Sequence, residues 1–299
     1  LPVAGSFRSI DFALSSMSNS HIQTVAVLTQ YNARSLNEHL SSSKWWNFGR
    51  KQGGLFLFTP TVTADNSDWY RGTADAMYQN IDFLKRRHEP YVIISSGDCV
   101  YKLDFNRVLD FHIEKKSDIT VVCKDMMYND DVSRFGVVRM DDESRITEFD
   151  EKPIEALSNT ISTGIYVIRR RQLIELLEAA AEENRFDFVN DILVRYKNVK
   201  KIYGYKINSY WNNIADIDAY FKTNMDFLRP DVRSYFFREE PTICSKVDDL
   251  PPAKFNPGSD ISNSLVSSGC IINGSVEDSA FQAGICGQKH HSEELRDTQ

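Results

Sequence analysis

Between Ile22 and Lys206, runs of β-branched and aromatic residues alternate with stretches whose apolar residues recur every three or four positions. Such alternation restricts a chain to strands joined by crossover helices, which is an α/β fold with a mostly parallel sheet and helices on both faces. Strands are expected at 22–29, 55–59, 119–123, 136–140, 146–149, 161–168 and 199–206, and from Tyr91 onward. A helix is expected over 72–87, where Met77, Ile81 and Leu84 form one stripe, and others over 32–40, 170–183 and 188–196. Phe105, Val108, Leu109 and His112 mark one more; His112 falls on its apolar stripe and reads as a core or edge histidine. The last helix of the series puts Ile217, Tyr220, Phe221, Asn224, Met225 and Leu228 at core-face spacing. By contrast, 7–21 is polar and Ser-rich, and 41–54 reads as loop, with Trp45 and Trp46 as a packing anchor or subunit contact.

The segment Tyr91-Val-Ile-Ile reads as a strand buried on both faces, ended by the tight turn Ser95-Ser96-Gly97. Asp98 therefore leaves the carboxyl end of a strand, the edge at which ligands bind in open α/β sheets. A carboxylate there either holds a divalent cation against phosphate oxygens or hydrogen-bonds its own turn.

Acidic residues outnumber basic ones by 42 to 35, a net charge of -7, which argues against nucleic acid or an anionic membrane surface as partner. No apolar run approaches the roughly 20 residues that cross a bilayer, so a cytoplasmic location is expected. The 5 cysteines contain no Cys-x-x-Cys pair and read as free thiols. Leu1 is not methionine, and further sequence is expected before it. The first domain is expected over 1–228, and a Pro-rich, extended linker over 229–257. In 258–287 the residues Ser264, Cys270 and Val276 stand six apart, as in the hexapeptide turns of a β-helix, and 288–299 is expected to be a disordered tail.

Seven stretches stand out in order: Phe7-Arg-Ser-Ile-Asp-Phe-Ala-Leu-Ser, Val27-Leu-Thr-Gln-Tyr, Trp69-Tyr-Arg-Gly-Thr-Ala-Asp-Ala, Ser96-Gly-Asp, Phe149-Asp-Glu-Lys-Pro, Ser162-Thr-Gly-Ile-Tyr and Pro251-Pro-Ala-Lys-Phe. Taken together and in this order they resemble the sugar-nucleotide pyrophosphorylases, specifically the bacterial glucose-1-phosphate adenylyltransferase family. The resemblance implies a nucleotidyltransferase domain of GT-A, Rossmann-like type followed by a short left-handed β-helix. It also implies a reaction of ATP with glucose 1-phosphate to give ADP-glucose and pyrophosphate. By the same resemblance Tyr70, Gly136, Glu151, Lys152 and Ser162 would hold the sugar phosphate: an ammonium answers phosphate charge, while carboxylate and hydroxyl take sugar hydroxyls.

The family holds Mg2+ with two carboxylates, one matching Asp98 and the other within Trp-Arg-Asp-Val-Gly. Here that pattern reads Trp211-Asn-Asn-Ile-Ala, so Asn213 stands at the second aspartate and Asn212 at the arginine. Ser6 replaces a lysine at the front, and the Arg-bearing phosphate loop is absent or lies upstream of Leu1, so no catalytic residue is assigned. The Leu1-Pro-Val-Ala-Gly start and the altered Trp211 motif resemble the family's regulatory, GlgD-type subunit. That implies a chain with weak or no activity, weak or absent Mg2+ binding and a catalytic partner subunit in a heterotetramer serving glycogen synthesis. The alternatives are a competent adenylyltransferase relying on Asp98, a sugar-phosphate sensor with no enzyme partner, and a different sugar nucleotidyltransferase.

Overall fold

The computed structural model describes residues 1–49, 53–60, 69–128, 130–281 and 286–287. The segment 288–299, expected as a tail, lies outside the described residues.

The chain opens with the pair β1 (Pro2–Val3) and β2 (Phe7–Arg8), then α1 (Ser9–Asn19), β3 (Thr24–Leu28), α2 (Ala33–Leu40) and β4 (Gly54–Phe58). Next come α3 (Thr73–Gln79), α4 (Ile81–Lys85), β5 (Tyr91–Ser95), β6 (Cys99–Tyr101), α5 (Phe105–Glu114) and β7 (Ile119–Asp125). β8 (Gly136–Met140), β9 (Ile146–Glu151), β10 (Thr160–Arg169), α6 (Arg170–Glu182), a π-helical turn at Val189–Val194 and β11 (Ile202–Lys206) follow. β12 (Trp211–Asn213), α7 (Ile217–Asp226) and α8 (Pro230–Phe237) lead to seven short strands: β13 (Lys254–Phe255), β14 (Asp260–Ser262), β15 (Leu265–Val266), β16 (Ile271–Ile272), β17 (Ser275–Glu277), β18 (Ala280–Phe281) and β19 (Cys286–Gly287).

The chain folds as two compact units, one of residues 20–96 and 103–209, the other of residues 1–19, 97–102 and 210 onward. The 20–96/103–209 unit is built on a sheet in the order β11-β7-β10-β8-β9, with β5 also on β10. β11 runs parallel to β7, while β10 runs antiparallel to β5, β7 and β8. The α/β class is as expected, and the reversed strand β10 makes the sheet mixed. β3 and β4 form a separate parallel pair. Alternation along β7 sets the two faces: Ile119, Val121 and Cys123 pack with Leu173, Leu176 and Leu177 of α6, whereas Thr120 points oppositely and bonds His112 of α5. Helices thus cover both faces. Each fully buried Leu or Phe of this core contributes roughly 1.5–3 kcal/mol.

Several expectations are corrected. The helix over 72–87 is two helices, because Asn80 breaks it and turns its side-chain amide back to the carbonyl of Ala76. β5 is half-buried along its length rather than buried on both faces, since β10 is its only strand partner among the described residues. In the 41–54 segment Trp46 is buried edge-on against His39 and acts as the packing anchor.

The other unit gathers α1, β6, β12, α7 and α8 around Phe12, Val100, Ile214, Phe227 and Phe236. The Ser-rich start is a helix, although serines are poor helix formers. Tertiary partners compensate: Ser15 Oγ donates to the carbonyl of Cys244 at 3.0 Å and accepts from its N–H at 2.9 Å. Asn19 donates to the carbonyl of Thr242. The expected linker opens instead with α8, started by Pro230 in the first helical turn, where proline's fixed φ and missing N–H cost nothing. The face expected for α7 holds only in part: Tyr220 packs on this core and Leu228, just past the helix, is buried. Ile217 is 84% and Phe221 64% exposed, while Thr223 is buried, receiving Asn212 at 3.1 Å.

In the same unit β13-β16-β19, β14-β17 and β15-β18 are three parallel ladders. Asp260 pairs with Ser275, and Leu265 with Ala280, so each strand meets the one a coil later. Cys270 and Ile272 are buried between the ladders. This arrangement is consistent with a β-helix.

Candidate functional site

The residues expected to meet a sugar phosphate all belong to the 20–96/103–209 unit, and four of them share one end of its sheet. Gly136 begins β8 directly opposite Glu151, the last residue of β9. A Cβ on Gly136 would lie 2.9 Å from Glu151 Oε2 and 2.8 Å from the Phe149 ring. A side chain here would displace the Phe149 ring and the carboxylate from their present places. Lys152 follows in the left-handed region (φ 49°), an uncommon conformation for a residue with a side chain. Its N–H donates to the carbonyl of Phe135 at 3.1 Å. Its Nζ stands 3.9 Å from Glu151 Oε1.

Ser162 lies on β10, where the register to β7 shifts between Ser162 and Tyr166. Gly164, at φ 74°, occupies this irregularity, and its carbonyl accepts the N–H of Ser96. Ser162 Oγ and Tyr166 Oη are 3.2 Å apart, both side chains buried. Burial pushes the Tyr166 hydroxyl well above the ordinary phenol range, and the charges of Glu151 and Asp187 act in the same direction. Burial likewise raises the Glu151 carboxyl above its usual value, opposed by Lys152 and reinforced by Asp187. Glu151, Ser162, Tyr166 and Asp187 are therefore electrostatic or hydrogen-bonding neighbours beside a lysine ammonium.

Asp187 and Tyr166 were not singled out from sequence. Tyr166 was present in the quoted Ser162-Thr-Gly-Ile-Tyr stretch, and its even spacing from Ser162 was the available signal. Asp187 gives no such signal, because a distant segment delivers it. Phe186 and Asp187 both donate their backbone N–H to Asp191 Oδ2, at 3.0 and 2.9 Å. Tyr70 lies before α3, its hydroxyl accepting from Asn80 Nδ2 at 3.0 Å.

Asp98 and Asn213 belong to the other unit and lie side by side. β6 and β12 are antiparallel with Cys99 opposite Asn213, and the N–H of Ile214 donates to the backbone carbonyl of Asp98 at 2.9 Å. The buried Cys99 thiol stands between the two head groups, 3.5 Å from Asp98 Oδ1 and 3.5 Å from Asn213 Nδ2. Desolvation and the Asp98 charge push that thiol upward, which keeps it protonated. Asn213 Oδ1 already accepts the N–H of Ala215 at 2.9 Å. Its amide oxygen is thus engaged in a turn, and the pair supplies one fixed negative charge. Mg2+ draws its charge balance from carboxylates and phosphates, so these two residues do not fit a two-carboxylate Mg2+ site. Among the described residues, no group of three or more His, Cys, Asp or Glu side chains is placed to hold a metal ion. Asn212 is spent on structure, donating to Thr223 Oγ1 at 3.1 Å and Tyr210 Oη at 3.4 Å.

Comparison with known proteins bears on both halves. Residues 1–229 match the nucleotidyl transferase family model. The glucose-1-phosphate adenylyltransferase of Clostridium acetobutylicum is 38% identical over 288 residues, spanning 95% of this chain and 76% of that protein. That of Pseudothermotoga lettingae is 38% identical over 288 residues, 95% of this chain and 68% of its own length. That of Bacillus subtilis is 35% identical over 289 residues, 96% of this chain and 76% of its own length. With most of the chain matched at this level and the sheet-end cluster in place, the protein belongs to the glucose-1-phosphate adenylyltransferase family of nucleotidyl transferases.

Proposed function

We propose that this chain is a catalytically weak, regulatory GlgD-type subunit of glucose-1-phosphate adenylyltransferase, acting on a catalytic partner subunit in bacterial glycogen synthesis. The observation that carries the reading is Asn213. Its amide oxygen is committed to the N–H of Ala215 and its nitrogen faces the Cys99 thiol, leaving Asp98 as the single carboxylate of the pair. Nucleotidyl transfer depends on positioning and charge neutralisation, so loss of one fixed anion removes a large part of the catalysis. The cluster of Glu151, Lys152, Ser162 and Gly136 supports retained recognition of glucose 1-phosphate: Lys152 for the phosphate, Glu151 and Ser162 for hydroxyls.

The partner's response would arise from differential contacts in two states, a coupling worth about 1–3 kcal/mol in ordinary allostery. A heterotetramer is the assembly this reading implies. The test is an assay of ADP-glucose formation by the catalytic chain alone, by this chain alone and by the mixture. Faster turnover or a stronger effector response in the mixture is expected, and a mixture indistinguishable from the catalytic chain refutes the regulatory role.

A second reading, a competent adenylyltransferase, draws on the 35–38% identity to enzymes of that name and on the presence of Asp98. Turnover by the isolated chain in the ordinary enzyme range, on the order of 1–1000 per second, would establish it in place of the first.

A further inference from the structure

Tyr70 and Asp187 are 117 positions apart in the chain yet are tied to opposite ends of the same short helix. At the carboxyl end of α3, Asn80 Nδ2 bonds both the Tyr70 hydroxyl at 3.0 Å and the carbonyl of Ala76 at 2.9 Å. At the amino end, the carbonyl of Phe186 accepts the N–H groups of Ala74 at 2.8 Å and Asp75 at 3.2 Å. Thr73 Oγ1 accepts the N–H of Phe188 at 3.0 Å. The approach is close enough that a Cβ on Gly72 would lie 2.4 Å from the Phe186 carbonyl oxygen.

One buried carboxylate closes the arrangement. Asp75, 3% exposed, accepts the backbone N–H of Arg71 at 2.8 Å, Arg71 Nη2 at 3.4 Å and Gln79 Nε2 at 3.0 Å. So held, the Arg71 guanidinium lies 3.8 Å from the centroid of the Phe186 ring, a cation–π contact. Neither Asp75 nor Arg71 belongs to the cluster around Glu151; both join the segments that carry Tyr70 and Asp187.

We propose that Asp75, acting through Arg71 and Phe186, is a positioning residue that sets Tyr70 and Asp187 in register for sugar-phosphate binding, an inference that rests on the sugar-phosphate reading above. Arg71 adds a charged side-chain link to two segments already joined by the backbone bonds at Phe186 and the Thr73 hydroxyl. Its planar cation suits this task, because lysine keeps the charge but loses the flat contact with the ring while reaching toward Asp75.

The experiment is calorimetric titration of the full chain with glucose 1-phosphate, for wild type, Arg71→Lys, Phe186→Leu, their double variant, Phe186→Tyr and Asp75→Asn, with thermal melts to count folded protein. Arg71→Lys and Phe186→Leu are each expected to weaken binding about two- to fivefold, in keeping with a cation–π contact made by a half-exposed guanidinium. Because both remove the same link, the double variant should bind no worse than the weaker single one. Phe186→Tyr, which keeps the ring, should bind like wild type. Asp75→Asn should lose affinity to a similar extent, and should it fail to fold, the Arg71 and Phe186 variants carry the test alone. A purely scaffolding role would lower melting temperature and leave the affinity of folded protein unchanged. That result, or a double variant whose loss is the product of the two single losses, overturns the clamp. A wild-type chain that does not bind glucose 1-phosphate overturns the sugar-phosphate reading and the clamp with it. Wild-type binding with indifferent variants overturns the clamp only.

Discussion

Replacing Asn213 with aspartate tests the core of the functional reading without altering side-chain size. Contacts of 3.5 Å from Asp98 Oδ1 and from Asn213 Nδ2 to the same Cys99 sulfur put the two head groups no farther than about 7 Å apart. Two like charges at that separation repel by about 0.6 kcal/mol in a water-like dielectric and about 2.4 kcal/mol at an effective dielectric of 20. Both residues are half-buried, so about 1 kcal/mol is the working figure. In a chain of this size that lowers the melting temperature by about 2–4 °C. A divalent cation binding between the carboxylates would cancel the repulsion. The Asn213→Asp variant should therefore melt lower than wild type in EDTA and recover on addition of Mg2+, while wild type responds weakly. ADP-glucose synthesis by the isolated variant should rise at least tenfold, in the range seen when a single electrostatic contact is restored. If the variant shows neither a melting difference between EDTA and Mg2+ nor a gain in synthesis, the missing carboxylate is not what limits this chain.

Gly136→Ala should cost about 1–3 kcal/mol, because the new methyl collides with the Phe149 ring and the Glu151 carboxylate; denaturant titration measures it, and glucose 1-phosphate affinity should fall alongside. Burial holds the proton of Glu151 to higher pH in the folded protein than in the unfolded chain. Stability therefore declines as pH climbs from the unfolded value through the folded one. Glu151→Gln should abolish that decline, raising the melting temperature at neutral pH and leaving it unchanged below pH ~4. His112 behaves in the opposite sense. Burial, helped by Arg169 and opposed by Asp118, lowers its pKa from 6.5 to about 4. The stability it contributes is present above pH 6.5 and is lost as pH falls toward about 4, on the order of 3 kcal/mol. His112→Gln should flatten the stability profile across that window.

The strands of the central sheet were legible because they carry short β-branched or aromatic runs, Ile119-Thr-Val-Val in β7, Val137-Val in β8, Ile165-Tyr-Val-Ile in β10 and Ile202 with Tyr203 and Tyr205 in β11. What the pattern does not carry is direction. β10 reads like any crossover product, yet it lies antiparallel between β5 and β7, and strand direction is set by tertiary pairing. Helix α1 was invisible because buried serines are interspersed with its buried Phe12, Ala13 and Leu14 and mask the apolar stripe; Ser15 is satisfied by the backbone of Cys244, and Asn19 by the carbonyl of Thr242. On α7 and just beyond it the apolar residues divide: Tyr220 and Leu228 meet the core, whereas Ile217 and Phe221 face solvent, and Thr223 is buried to receive Asn212. At the candidate site, Gly136, Glu151, Lys152 and Ser162 were readable because they lie in short linear motifs on adjacent strands. Asp187 was not, since its segment is held by the start of α3, through Phe186 to Ala74 and Asp75 and through Phe188 to Thr73, and no local pattern announces that docking.

The ring of Phe12 in α1 lies 5.3 Å from Phe236 and 6.0 Å from Phe227. This ring thus meets Phe227 and Phe236 only after more than two hundred further residues have been added. At about 5–20 residues per second, translation leaves it without those two partners for roughly ten to forty seconds. Through that interval the nascent helix is a natural client for chaperones, and a chain released before Phe227 would leave the ring without them permanently.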